Sequence, residues 1–228
     1  MEVSDAAEAS EEAPPGFLYT KCFCEENTYK LIEQLVRDAV CPVDDLYAVF
    51  LSSPRRQFPI LKQRAGDGDV IVWDYHVLCV QRGARGAVVW DLDTVLRPFP
   101  APFELYGKEA LLLTAPQLRA FDRRFRVVAA RSFLDCFSSD RRHMRAADGS
   151  WTMPPPAWDV LQGPRARAAG GDAPPEHRLP LYIDVSWEDD AGRSGQPAAL
   201  QEVVGCALGR VVDERGLWEL FRGGRSDA

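Results

Sequence analysis

Two apolar strands joined by a short glycine-containing turn constrain this chain most strongly. Residues 70–81 read V-I-V-W-D-Y-H-V-L-C-V-Q, residues 87–95 read A-V-V-W-D-L-D-T-V, and Gly83 and Gly86 stand between the two runs. Apolar, β-branched runs on either side of such a turn are typical of an antiparallel β-hairpin. A type II′ turn centred on Gly83 and the residue after it pairs 76 with 91 and 74 with 93. The predicted hairpin is therefore the frame for the candidate site.

Alternation along the two strands sorts their side chains onto two faces. One predicted face is bulky and apolar, and it carries Trp73, Tyr75, Val77, Trp90 and Leu92. The other gathers three carboxylates around one imidazole: Asp74, His76, Asp91 and Asp93. This pattern has two explanations, a buried histidine satisfied by an aspartate, or a catalytic base oriented by a carboxylate. A slip of one residue in register separates His76 from Asp91.

A thiol precedes a predicted helix upstream of the hairpin. After Cys24, apolar residues recur at helical spacing, and Glu25 and Glu26 suit the positive end of a helix. Free N–H groups at a helix start favour a thiolate and can hold an oxyanion. The alternative is a small buried cysteine without a role in catalysis. Cys22 is interpreted as structural. Cys22, Cys24, Asp74 and His76 could be considered as zinc ligands, but C-x-C spacing is weak evidence, and no metal is expected.

Length and charge limit the classes of function. The 228 residues predict a single catalytic domain over 17–228, preceded by a disordered acidic tail over 1–16 that holds five acids and no Lys or Arg. A net charge of −7 argues against nucleic acid or an anionic membrane as partner. Six cysteines without a secretion signal are expected to be reduced. The expected location is the cytoplasm, with the nucleus as a second compartment.

The remaining patterns predict an α+β fold with a mostly antiparallel sheet. Helices are predicted near 103–113, 116–122 and 131–137, with a strand at 125–130 and a short helix at the C-terminus. The stretch 163–197 is interpreted as a low-complexity or inserted segment: its first part, 163–179, is predicted to be a mobile loop, and 189–197 another loop. A strand is predicted at 180–188.

Several strings together resemble the protein N-terminal glutamine amidohydrolase family. They are C-F-C-E-E-N at 22–27, Y-A-V-F at 47–50, W-D-Y-H-V at 73–77, D-L-D-T-V-L at 91–96, F-R-V at 125–127 and S-D-R-R-H-M at 139–144. The resemblance covers about residues 17–158. It implies a papain/transglutaminase-like fold with a helix that carries the nucleophile at its N-terminus. By position, Cys24 matches the nucleophile, His76 the base and Asp91 the orienting acid.

The resemblance also implies an activity. Members deamidate N-terminal glutamine in proteins and peptides to glutamate, which feeds the arginine N-degron pathway. A monomer that needs no cofactor is expected. The group that reads the free α-ammonium is open, and Glu25, Asp74 and Asp93 are candidates by position. Two rival interpretations stay open: another thiol acyl-transfer enzyme, such as a cysteine peptidase or a transglutaminase, and a binding module that kept the fold.

Overall fold

The protein is a mixed α/β structure built on one six-stranded sheet. A computed structural model describes residues 16–66, 69–113, 115–170, 175–186 and 207–223. The strands are β1 (Leu46–Ser52), β2 (Phe58–Ile60), β3 (Ile71–Trp73), β4 (Tyr75–Gly83), β5 (Gly86–Trp90), β6 (Ala101–Pro102), β7 (Arg124–Ala129), β8 (Ser138–Ser139), β9 (Leu161–Gln162) and β10 (Arg210–Val212). The α-helices are α1 (Cys24–Arg37), α2 (Phe103–Glu109), α3 (Ala130–Cys136), α4 (Pro164–Gly170), α5 (Leu179–Ile183) and α6 (Glu214–Phe221).

The main sheet has the strand order β10-β7-β1-β4-β5-β6. Each neighbouring pair in it is antiparallel, as are the two small sheets β2–β3 and β8–β9. The predicted α+β class with a mostly antiparallel sheet is thus confirmed. The predicted helices near 103, 131 and the C-terminus are present as α2, α3 and α6.

Helices cover both faces of this sheet because the central strands are apolar on both sides. On β1, Tyr47, Val49 and Leu51 belong to the core shared with α2 and α6. The intervening residues Ala48 and Phe50 belong to the core shared with α1, α3 and α5. A strand buried on both faces reads as a continuous apolar run, which is the pattern of 46–51. The helix that begins at Cys24 therefore packs on the sheet that contains the strand of His76.

The hairpin forms, but its predicted register is wrong by two residues. The paired positions are Gly83 with Gly86 and Cys79 with Trp90, so Ala84 and Arg85 form the loop. Of the four turn residues, only Gly86 has a positive φ, at 133°. A type II′ turn requires a positive φ at the first loop residue, which is Ala84. A shift of two residues keeps every side chain on its face. This explains why the faces of the hairpin largely survive the error.

The long first strand is interrupted at Asp74, which separates β3 from β4. Trp73 therefore belongs to the small sheet, where it pairs with Phe58. Its indole stacks on the His76 imidazole, with ring centroids 6.3 Å apart and planes at 17°. The prediction that Trp73 lies on the face opposite His76 is wrong, because the break at Asp74 resets the alternation.

Two further predictions are wrong. The stretch 180–188 was expected to be a strand, but it begins as helix α5, which buries Leu179 and Tyr182 three residues apart on one side. The whole of 163–179 was expected to be a mobile loop, but its first half forms helix α4 from Pro164 to Gly170. The predicted acidic tail, apart from Gly16, and the predicted loop at 189–197 lie outside the described residues.

No described helix is long and apolar enough to cross a membrane. The five cysteines in the described part of the chain, Cys22, Cys24, Cys41, Cys79 and Cys136, are free thiols. Cys206 lies outside it.

Candidate active site

A cavity of about 810 Å³ collects most of the predicted site residues. One wall comes from the chain before α1 and the first helical residue: Tyr19, Lys21, Cys22 and Cys24. A second wall comes from the β3–β4 break and from neighbouring loops: Arg64, Ala65, Trp73, Asp74, Tyr75, His76 and Asp93. The third wall comes from the second half of the chain: His143, Met144, His177, Leu179, Pro180 and Ile183. A second cavity of about 440 Å³, next to Arg123 and Trp218, holds none of the predicted site residues.

His76 and Asp91 form a buried hydrogen-bonded pair. The Nε2 of His76 donates to Oδ1 of Asp91 at 2.9 Å, and both residues are at most 2% exposed. The Asp91 carboxylate also accepts from Gln63 Nε2 at 2.9 Å and from the Tyr106 hydroxyl at 2.7 Å, both on Oδ2. Three side-chain donors therefore hold this carboxylate in one orientation.

A turn explains why Asp91 meets His76 despite the shifted register. The ladder of β5 ends at Trp90, and the Asp93 N–H donates to Oδ1 of Asp91 at 3.0 Å. The Thr94 N–H also donates to the Asp91 carbonyl at 3.2 Å. An aspartate that bonds the backbone two residues ahead begins an Asx-turn. The chain thus leaves the strand at Asp91.

The two members of the pair shift each other's pKa in opposite directions. Burial works to raise the pKa of Asp91, but the charge of His76 and the hydrogen bonds from His76, Gln63 and Tyr106 lower it to about 2. Burial works to lower the pKa of His76, but the charge and hydrogen bond of Asp91, with the charge of Asp93, raise it. Asp91 therefore stabilises the imidazolium that forms whenever His76 takes up a proton.

Cys24 is the first residue of α1, and no side chain caps this end of the helix. Its Sγ donates to Oε2 of Glu25 at 3.8 Å. Burial, followed by the charges of Glu25 and Asp93, raises the pKa of the Cys24 thiol well above its usual value, while a backbone hydrogen bond from Val77 opposes the rise. Burial and the nearby acids therefore oppose the thiolate that the start of a helix is expected to favour.

A buried polar cluster lies beside Cys24. The Tyr75 hydroxyl donates to Oε2 of Glu25 at 3.1 Å, and Nε2 of His143 lies 3.5 Å from Oε1 of the same carboxylate. The His143 ring stacks on that of His177, with centroids 5.2 Å apart. Glu25 is fully buried and does not line the cavity, whereas Tyr75, His143 and His177 do.

The other two candidate acids face the cavity. Asp93 accepts from the Tyr19 hydroxyl at 2.6 Å, and Arg64 Nη2 lies 3.6 Å from the same oxygen. Burial, partly opposed by His76 but reinforced by Asp91, raises the pKa of Asp93. Asp74 is exposed, and its carboxylate accepts from the Tyr75 N–H at 2.9 Å.

A buried ion pair joins the start of α1 to the third wall. Glu26 and Arg141 form two charge-assisted bonds of 2.8 Å, and Trp158 Nε1 donates to Glu26 at 2.8 Å. Arg141 has a left-handed backbone (φ 63°) and lies two residues before His143. Because bidentate pairs fix relative orientation, this contact ties the helix of Cys24 to the segment that carries His143.

His76, Asp91 and Asp93 also place one ligand atom each within 4.8 Å of one another. All three are engaged in the hydrogen bonds given above, with Gln63, Tyr106 and Tyr19 as further partners. These hydrogen bonds explain the cluster without a metal ion: the network holds His76 in one orientation.

Sequence reasoning missed several residues of the cavity. Trp73, Tyr75, His143 and His177 were not among the candidate site residues, yet all four line the cavity. Neither ring nitrogen of His143 has a hydrogen-bond partner among the described residues. The D-R-R-H-M string at 140–144 carried the available signal for His143, whereas Gln63 and Tyr106 gave none, because their role depends on tertiary contact.

A mixed α/β protein with a thiol and a hydrogen-bonded histidine–aspartate pair at one cavity has the constituents of a thiol-dependent acyl-transfer enzyme. The chain belongs to the N-terminal glutamine amidase family, whose model matches residues 19–220.

Similar proteins carry the name protein N-terminal glutamine amidohydrolase. The relative from Arabidopsis thaliana is 38% identical over 215 residues, which cover 90% of this chain and 91% of the relative. The relative from Danio rerio is 41% identical over 152 residues, 66% of this chain and 75% of its own. The relative from Homo sapiens is 41% identical over 154 residues, with the same two shares.

Proposed function

We propose that this protein deamidates glutamine at the N-terminus of proteins and peptides, and that Cys24, His76 and Asp91 carry the reaction on a papain/transglutaminase-like fold. The supporting observation is the cavity that joins the thiol at the start of α1 to the buried His76–Asp91 pair. Family membership and the names of the relatives support the substrate. The product, an N-terminal glutamate, would enter the arginine N-degron pathway.

The first half of the reaction forms a thioester. His76 takes the thiol proton, and Cys24 Sγ bonds to the side-chain amide carbon while the C=O electron pair moves onto oxygen. When that pair returns, the C–N bond breaks, and His76 gives its proton to the departing nitrogen, which leaves as ammonia. Because Nε2 of His76 is held by Asp91, Nδ1 is the nitrogen that exchanges these protons.

The second half hydrolyses the thioester. His76 takes a proton from water, and the hydroxide bonds to the acyl carbon. The C–S bond then breaks, His76 returns its proton to the sulfur, and the products are an N-terminal glutamate and the Cys24 thiol. Asp91 stays ionised throughout and stabilises the imidazolium. Its low pKa, about 2, fits that role.

The substrate's α-ammonium is read by Asp93, with Asp74 as a second acid. Both line the cavity, whereas Glu25 is buried behind it and instead orients Tyr75 and His143. A cation next to Asp93 would also offset the negative charges that raise the pKa of Cys24. Binding of a free N-terminus would then activate the thiol.

Ammonia release from four matched peptides tests this function. The peptides begin with Gln, acetylated Gln, Asn or Gly followed by an internal Gln. Release only from free N-terminal Gln supports the proposal. Peptide-bond cleavage or incorporation of an added amine would instead favour a cysteine peptidase or a transglutaminase.

A matched pair of cysteine variants tests the assignment of the nucleophile. Cys24→Ser should abolish ammonia release from the Gln peptide without changing the fold. Cys22→Ser is the control, because Cys22 lines the same cavity two residues away, and it should retain most activity. Turnover by Cys24→Ser would contradict the mechanism.

A further inference from the structure

The indole N–H of Trp73 is buried, and it has no hydrogen-bond partner among the described residues. The other indoles whose bonds are defined behave differently. Trp90 Nε1 donates to Gln81 at 3.0 Å, and Trp158 Nε1 donates to Glu26 at 2.8 Å. Leaving a buried donor unpaired costs about 1–3 kcal/mol. An unpaired donor that the fold retains in a cavity wall points to an acceptor that arrives with a ligand.

Trp73 lies where such an acceptor would matter. It lines the same cavity as Cys24 and His76 and stacks on His76 with nearly parallel rings. The break at Asp74 produces this arrangement, because it frees Trp73 from the strand of His76 and turns its ring onto the imidazole. The Trp73 indole is therefore next to the imidazole that must exchange protons with Cys24.

Other side-chain donors line the same cavity, but their positions differ from that of Trp73. The Tyr75 hydroxyl donates to Glu25, and His76 is held by Asp91 and must protonate the leaving nitrogen. Arg64 donates to the Leu92 carbonyl through Nη2, and its guanidinium lies over the Tyr19 ring beside Asp93. Its Nη1 is also buried without a hydrogen-bond partner among the described residues. His143 is uncommitted, but it faces Glu25 on the third wall instead of stacking on His76.

We propose that the Trp73 indole N–H is an oxyanion donor for acyl transfer by Cys24, acting together with backbone N–H groups at the start of α1. The inference rests on the proposed function. When Sγ bonds to the amide carbon, the displaced electron pair makes the amide oxygen an anion that accepts from Trp73 Nε1. The same contact forms again when hydroxide adds to the thioester. Because the charge develops only in these steps, the N–H stabilises the transition state more than the bound substrate.

Removal of the N–H alone tests the proposal. Trp73→Phe keeps an aromatic ring on His76, and replacement of Trp73 by β-(3-benzothienyl)alanine also keeps its size, since sulfur takes the place of the N–H. Both variants should lower kcat for the Gln peptide by about 10²- to 10³-fold with little change in KM. Trp90→Phe is the control. It also loses an indole N–H, but outside the cavity, and it should keep wild-type kcat.

Alkylation of Cys24 by iodoacetamide distinguishes two roles for Trp73. The residue could donate to the oxyanion, or it could only position the thiol or His76. Displacement of iodide creates no oxyanion, so both Trp73 variants should alkylate at the wild-type rate. Equal losses in alkylation and deamidation, a rise in KM alone, or wild-type kcat would each overturn the proposal. Wild-type protein that releases no ammonia would refute the proposed function instead. The benzothienyl variant should unfold at the wild-type urea midpoint or above it, because it lacks the unpaired donor.

Discussion

Replacement of Asp91 by Asn is the most informative single change, because it keeps the shape of the side chain and removes the charge that orders the site. In wild type, Oδ2 accepts hydrogen bonds from Gln63 and Tyr106. An amide NH₂ in the position of Oδ2 cannot accept either bond. Without the Asp91 charge, burial dominates and lowers the pKa of His76, so the imidazolium that forms during the reaction is no longer stabilised. Both stability and activity should fall.

The size of the stability change follows from the pKa of Asp91. It is lowered from 3.8 to about 2, and each unit corresponds to about 1.4 kcal/mol. The ionised carboxylate therefore stabilises the fold by roughly 2–3 kcal/mol at neutral pH. A depressed pKa in the folded state gives stability that is present above the unfolded pKa and is lost as the pH falls through the folded pKa. The difference between wild type and Asp91→Asn should therefore shrink between about pH 4 and pH 2.

Urea unfolding from pH 7 down to the lowest pH at which both proteins fold measures this difference. Ammonia release from a Gln peptide should fall in parallel by about 10⁴-fold, the effect of the same change in a Ser-His-Asp triad. Asp93→Asn is the matched control for stability. Its folded pKa is raised, so loss of its charge should leave stability at pH 7 unchanged or increase it. A stability difference for Asp91→Asn that is the same at pH 7 and pH 3, or unchanged ammonia release, would refute the reasoning.

Two further perturbations follow from the site. In a Cys22→Ser background, alkylation of Cys24 should be slow at pH 7, because burial and the acids Glu25 and Asp93 raise the pKa of its thiol. The rate should keep rising with pH beyond the pKa of an ordinary thiol. A rate that levels off below pH 8 would contradict this. Arg141→Met should destabilise the fold by about 3–5 kcal/mol in urea, since it leaves the Glu26 carboxylate buried and unpaired. The double variant Glu26→Gln/Arg141→Met should lose less than Arg141→Met alone, and an equal loss would argue against an unpaired charge as the cause.

The sequence predicted the contact between His76 and Asp91 for a reason that was only partly correct. The predicted register placed the two residues opposite each other, whereas the observed ladder ends at Trp90 before it reaches them. The contact forms because an even shift keeps the faces and because the Asx-turn directs the Asp91 side chain back to the strand. Strand parity can be read from a pattern, but register depends on turn geometry, and two nearby glycines leave several turns open.

The parts of the site that sequence could not predict depend on contacts between distant segments. Tyr106 on α2 donates a hydrogen bond to Asp91. His143, which lies between β8 and β9, is close to Glu25 at the start of α1. The run L-Y-I-D-V suggested a strand, yet Leu179 and Tyr182 are buried together on the same side of α5. A short apolar run has no period long enough to separate strand from helix, so only its packing decides.

The raised pKa of Cys24 affects how readily its sulfur is oxidised. Peroxides oxidise thiolates far more readily than thiols, and the first product, a sulfenic acid, can proceed to forms that are not reversed. Cys24 lines an open cavity, so without protection it would be a target for such damage. Because burial and the charges of Glu25 and Asp93 raise the pKa of the thiol, the thiolate fraction is lowered and peroxide meets mainly the less reactive form. The acids around the nucleophile thus preserve it chemically between one substrate and the next.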